Sequence, residues 1–129
     1  MPGGCCGGNR SETLIFTCSG AAHTGQVAHR AGVQLMLEKE GQLFCIAAKA
    51  AGIPDKCERA RNAKVRVAID GCEDACVKKI LERAGLPVDV HVVATELGIE
   101  KQPKEPRIIE DTKRLASAVV ERLAPLRAW

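Results

Sequence analysis

Residues 64–84 read KVRVAIDGCEDACVKKILERA. The first part alternates and is rich in β-branched side chains, which predicts a strand over 64–70. Gly71 breaks that strand. From Glu73 to Ala84 the pattern becomes helical, with Cys76, Ile80 and Ala84 on one stripe and Val77 and Leu81 beside it. Gly85 is the expected left-handed stop, and Pro87 follows it. A strand that turns at a glycine straight into a helix is the repeating step of an α/β fold.

The same step recurs on both sides. Residues 13–18, TLIFTC, predict strand one, and the small residues 19–22 a turn. A helix follows over about 24–40, where Val27, Ala28, Ala31 and Leu35 recur at helical spacing and Gly41 is the expected stop. Residues 42–47, QLFCIA, read as strand two, 49–54 as a loop, and 55–61 as a short helix. Strand four is expected over 88–95, then a proline-containing loop over 97–106. A last helix over about 109–123 turns Leu115, Val119 and Leu123 inward. Strands alternating with helices imply a mainly parallel sheet covered on both faces, and right-handed crossovers leave few orders. The expected fold is α/β: a three-layer, doubly wound domain over 13–129 with strand order 2-1-3-4, behind a flexible glycine-rich segment over 1–12.

Composition narrows the function. A chain of 129 residues fits one domain, and 46% hydrophobic residues supply a core without disulfides. Only 2% of residues are aromatic, too few for a stacking platform on single-stranded nucleic acid. The balance of 19 basic against 16 acidic residues leaves no electrostatic footprint for a duplex. No apolar run approaches the roughly 20 residues of a membrane span. Neither nucleic acid nor membrane is therefore an expected partner.

Sulfur stands out. The seven cysteines are Cys5, Cys6, Cys18, Cys45, Cys57, Cys72 and Cys76. The first residues, MPGGCCGGNRSET, contain no apolar signal core, so a cytoplasmic and reducing setting is expected. There, clustered cysteines read as metal ligands or catalytic thiols. Burial as small hydrophobes suits one or two of them, not seven.

The expected topology says where they gather. Cys18 ends strand one and Cys72 follows strand three, the two strands flanking the switch point where such sheets bind ligands. Cys76 lies four residues on, and a helix holding both would place them on one face. A helix N-terminus at Cys72 would also favour its thiolate. Cys45 falls near the end of strand two. Four converging thiolates suit Zn²⁺ or an iron–sulfur cluster, between which spacing does not choose.

The string Val67-Ala-Ile-Asp-Gly-Cys-Glu-Asp-Ala-Cys76 resembles the signature of the DGC-domain family, named for the triplet that stands here as Asp70, Gly71 and Cys72. The Cys18-Ser19-Gly20 turn with Gly25-Gln26 matches that family's first motif, and Leu97-Gly98-Ile99 with Lys101 resembles its C-terminal pattern. The resemblance covers about residues 13–101. It implies a small zinc-binding protein with four recurring cysteines, which carry over to Cys18, Cys45, Cys72 and Cys76. Cys57 and the Cys5-Cys6 pair fall outside the shared pattern.

The remaining candidates carry plainer expectations. Cys5-Cys6 reads as part of a disordered tail rather than a resolving thiol pair, and Cys57 as a packing or surface thiol. His23 is either an extra ligand or the start of a helix, His29 lies on a solvated face, and His91 packs within strand four. Asp70 is placed to orient the Cys72 loop through backbone N–H groups. Three functions compete. The first is a zinc-binding protein for sensing or delivery, with an iron–sulfur protein on the same ligands as its variant. The second is a thiol-dependent redox or sulfur-transfer enzyme using Cys18 or Cys72. The third is a phosphatase- or arsenate-reductase-like anion site after Cys18. It ranks last, because Thr24 stands where the phosphoryl-binding arginine belongs.

Overall fold

Short apolar runs bounded by turn residues form the strands β1 (Thr13–Thr17), β2 (Gln42–Phe44), β3 (Val65–Asp70) and β4 (Val90–Val93). The computed structural model describes residues 13–127. The segment 1–12, with Cys5 and Cys6, lies outside the described residues. The helices are α1 (His23–Leu37), α2 (Ile46–Ala50), α3 (Pro54–Asn62), α4 (Cys76–Arg83) and α5 (Ile108–Leu123). Single 3-10 turns follow β4 at Ala94–Leu97 and α5 at Ala124–Arg127.

The sheet order is β2-β1-β3-β4. Every pairing is parallel, with Phe16 opposite both Phe44 and Ala68, and Ala68 opposite His91. Strand alternation sorts the side chains into two cores. Ile15, Val67, Ile69 and Val92 face α1 and α5, meeting Ala31, Leu35, Leu115 and Val119. Leu14, Phe16, Phe44 and Ala68 face the other way, toward Val77 and Leu81 of α4 and Ala60 of α3. The winding reverses between β1 and β3, so their carboxyl ends open the crevice in which α/β sheets bind ligands. Among the described residues no helix is long and apolar enough to cross a membrane.

Several boundaries differ from the sequence reading, each for a physical reason. Strand two ends at Phe44 rather than Ala47, and the apolar run continues as α2, which takes the end of the expected strand and the start of the expected loop. Its residues, IAAKA, are good helix formers, and Cys45 caps them by accepting the Ala48 N–H on Sγ at 3.4 Å. The first helix ends at Leu37 rather than Glu40, and Lys39, not Gly41, takes the left-handed conformation, with φ 61°. Gly41 instead gives clearance, since a Cβ there would stand 3.0 Å from the Thr13 carbonyl oxygen. Strand four stops at Val93, where the 3-10 turn takes over until Gly98 reverses the chain at φ 84°. Gly85 is the left-handed stop after α4, at φ 76°, as its sequence position implied.

The largest correction concerns α4. It begins at Cys76, not Glu73, so Cys72 sits in a turn and not at a helix N-terminus. The face that packs is Val77 and Leu81, while Cys76 and Ala84 are exposed. The cause is tertiary: Asp70, at the end of β3, accepts the Val77 N–H at 2.9 Å and the Lys78 N–H at 3.3 Å. It thereby fixes where the free donors of the first turn lie. The chain between closes a turn, Ala75 N–H to Cys72 O at 3.0 Å, and enters the helix through a left-handed Ala75.

One buried charge holds the opposite end of the sheet. Arg66, 6% exposed, donates from Nε to Ala60 O at 2.7 Å and from Nη2 to Arg61 O. A longer contact reaches Pro87 O. These include carbonyls of the last turn of α3, which have no partner within the helix. Arg66→Met is expected to lower stability by about 2 kcal/mol, because it strands those acceptors. Urea unfolding checks this, with the midpoint falling at unchanged slope. A midpoint equal to the parent's would remove the guanidinium from the account.

Candidate functional site

The carboxyl edge of the sheet collects the thiols. The β1–β3 ladder extends one residue past β1, where Cys18 N–H donates to Ile69 O at 2.9 Å. Cys18 thus leaves the sheet beside the end of β3, and the chain turns through Ser19 and Gly20. The Gly20 N–H points at Cys18 Sγ, 3.4 Å away, and the Gln26 side-chain amide holds the Gly20 carbonyl at 2.7 Å. Cys72 starts its own turn directly after Gly71.

Missing side chains join these two turns. A Cβ on Gly25, in the first turn of α1, would stand 2.8 Å from Gly20 N. A Cβ on Gly71 would stand 2.9 Å from Gly25 N and 2.9 Å from Thr24 C. Backbone therefore lies on backbone from the Cys18 turn, through the start of α1, to the Cys72 turn. No residue with a Cβ fits these contacts without displacing one of the turns. Gly71→Ala is expected to cost about 1–3 kcal/mol by overpacking. Thermal unfolding measures it; an unchanged midpoint would mean the turns separate freely.

Electrostatics ties in the third thiol. Local desolvation pushes the Cys76 thiol above its ordinary range, and the charges of Cys18, Asp70, Asp74 and Cys72 add to the rise. Cys18, Cys72 and Cys76 therefore share one neighbourhood. Cys45 belongs to the adjoining strand end. Phe44 pairs with Phe16, so Cys45 follows one residue beyond that rung, on the side of β1 away from β3. Among the described residues no group of three or more His, Cys, Asp or Glu side chains already stands in a metal-holding arrangement. The donors nevertheless fit zinc in kind: they are soft thiols from three chain segments at one sheet edge, three of them within electrostatic reach of one another.

Lys101 was not singled out as a site residue in the sequence. Its ammonium is held above its ordinary range by the charge of Cys72 and by a side-chain hydrogen bond to it, with Asp74 and Glu73 adding. It comes from the irregular loop after Gly98, where no periodicity flags a position. The only sequence signal was its place in the family-like pattern. A lysine here balances negative charge on the thiol edge.

The other candidates fall into place. Asp70, 1% exposed, accepts from His91 Nε2 at 2.8 Å as well as from α4. It therefore orients the helix start that carries Cys76 rather than the Cys72 turn itself. His91 packs locally in β4, as expected, and Asp70 is its partner. His23 begins α1 and bonds Asp111 of α5 at 2.8 Å, a buried link between helices. His29 is exposed on α1, yet its Nδ1 meets Thr17 Oγ1 at 3.1 Å. The Cys57 thiol is half-buried in α3 and donates to Lys49 O at 3.7 Å, a packing role.

A parallel sheet in the order 2-1-3-4, with cysteines after its first three strands and an Asp-Gly-Cys turn at the switch point, defines a class. The DGC domain family model matches residues 14–119, and the chain belongs to that family. A relative is the anaerobic and virulence modulator AnvM of Pseudomonas aeruginosa, 30% identical over 112 residues, which cover 87% of this chain and 86% of that protein. No solved structure matches the chain.

Proposed function

We propose that this protein binds zinc through Cys18, Cys45, Cys72 and Cys76, as thiolates at the carboxyl edge of the sheet, and takes up and releases the metal for sensing or delivery. The observation that carries the reading is the gathering of thiols at one sheet edge: Cys18 bonded to the end of β3, the Cys72 turn directly after it, and Cys76 beside both. Neighbouring thiols are stabilised as thiolates when a cation joins them. Zinc would supply that charge, and Lys101 would offset part of what four thiolates leave over. Apolar side chains fill both faces of the sheet, so the core itself does not call on zinc to close the fold, unlike that of a zinc finger. The relative's name describes a modulator, which favours sensing over bulk storage.

A second reading is a thiol-dependent redox or sulfur-transfer enzyme using Cys72 or Cys18. The ammonium of Lys101 beside Cys72 favours it, since reactive thiols sit in electropositive, accessible surroundings.

Metal content and visible absorbance of the full chain, purified without oxygen, test both readings. About one zinc per chain and no colour is the expected result. Iron with a brown colour moves the same ligands to an iron–sulfur cluster. No metal, with several rapidly titrating thiols, overturns the zinc reading in favour of thiol chemistry.

A further inference from the structure

Beside the thiol edge lies a cavity of about 310 Å³, and of its lining the zinc reading uses only Cys45. Its apolar wall is Leu43 and Ile46, and its polar wall is Thr17, Ser19 and His29, with Phe44, Cys45 and Ala47 at the border. The volume is at the lower end of the roughly 300–1,000 Å³ of ligand cavities, and the mix of apolar wall and few polar groups is theirs too.

The polar wall is fixed in place. Gly32 lets α1 settle onto the sheet, for a Cβ there would stand 2.5 Å from Thr17 Cγ2 and 2.9 Å from Leu43 Cδ1. His29, almost one turn earlier on the same helix, is thereby brought onto the Thr17 hydroxyl at 3.1 Å. Thr17 is 5% exposed, and its hydroxyl proton needs an acceptor. In the tautomer in which His29 Nδ1 is that acceptor, the ring's own proton lies on Nε2. That tautomer leaves Nε2–H as the ring's remaining donor in the cavity wall.

We infer that this cavity binds a small molecule with a short apolar body and an acceptor oxygen head, a carbonyl or a carboxylate, which His29 recognises through Nε2–H. The apolar body lies against Leu43 and Ile46. The site stands on geometry that needs no metal.

Methyl NMR of the full chain tests it with three probes of similar branched carbon body: isovalerate, methyl isobutyl ketone and isopentylamine. Isovalerate or the ketone is expected to shift the Leu43 and Ile46 methyls with a Kd of ~0.1–10 mM, as suits so small a ligand. Whichever binds tighter identifies the head as carboxylate or carbonyl. The amine, a donor-only head, is expected to leave both methyls in place. His29→Leu is expected to weaken the bound probe about five-fold or more. Ala47→Phe, at an exposed position bordering the cavity, is expected to abolish binding, with unmoved Val119 and Leu123 methyls certifying the fold. Absent shifts at millimolar probe, an equal response to the amine, or no effect of His29→Leu would each overturn the assignment. Measurements with and without added zinc separate this site from the metal reading, because the methyl shifts can stand where metal binding fails, and the reverse.

Discussion

Cys72→Ser and Cys76→Ser are each expected to reduce bound zinc about ten-fold or more, while Cys57→Ser leaves it at the parent level. A serine hydroxyl is a harder donor than a thiol and does not ionise near neutral pH, so each replacement removes one soft ligand from a tetrahedral set. Cys72 and Cys76 share the neighbourhood of Cys18, and the charges of Cys18 and Cys72 both press on Cys76. Cys57 is engaged with Lys49 O in α3. Metal analysis after dialysis against a weak chelator gives the comparison. Equal loss in all three variants would end the four-cysteine assignment. Cys45→Ser is the sharper control, because Cys45 also caps α2. If it keeps its metal, the site has three protein ligands and an open position.

The largest expected loss of stability is from Asp70→Ala, about 3 kcal/mol. Its carboxylate, 1% exposed, accepts from Val77 N–H, Lys78 N–H and His91 Nε2. Truncation strands one buried and one part-buried helix donor and leaves His91 without this partner. Asp70→Asn is expected to cost less, since its amide oxygen can still cap Val77, but the NH₂ cannot accept from Lys78 or His91. Urea midpoints for the two variants separate the contributions. If Ala and Asn cost the same, capping of Val77 contributes nothing. Because Asp70 fixes the start of α4, the Ala variant is also expected to bind less zinc, whereas Arg66→Met destabilises at the far end of the sheet and is expected to spare metal.

What could be read from the chain, and what could not, divides along local against tertiary causes. β1 and β3 were legible because TLIFT and VRVAID are β-branched runs closed by small residues, and helical spacing marked Leu115, Val119 and Leu123 as inward. Right-handed crossovers then left the order 2-1-3-4 as the natural winding, which the sheet has. The run QLFCIA was ambiguous, because a short apolar stretch looks alike as strand or helix. The start of α4 was hidden for a different reason. Glu73 and Asp74 look like a first helical turn, but Asp70 takes the N–H groups further on. The bond from His91 to Asp70 depends on the β3–β4 register, which sets Ala68 beside His91 and Asp70 beside Val93. Lys101 reaches Cys72 from a loop whose path no local pattern dictates. The cysteine positions were legible as an edge. Their division into a trio and a neighbour was not, because it depends on which turns touch.

The glycine contacts among Gly20, Gly25 and Gly71 have a consequence for timing. Neither turn has side-chain slack at these positions, so the Cys18 loop cannot loosen while the Cys72 loop stays seated against α1. The start of α1 acts as a common latch, and lifting it frees both loops in a single opening event. Hydrogen exchange at the Cys18 and Ala75 amides, which are bonded to Ile69 O and Cys72 O, should then follow one shared clock set by the lifting of α1.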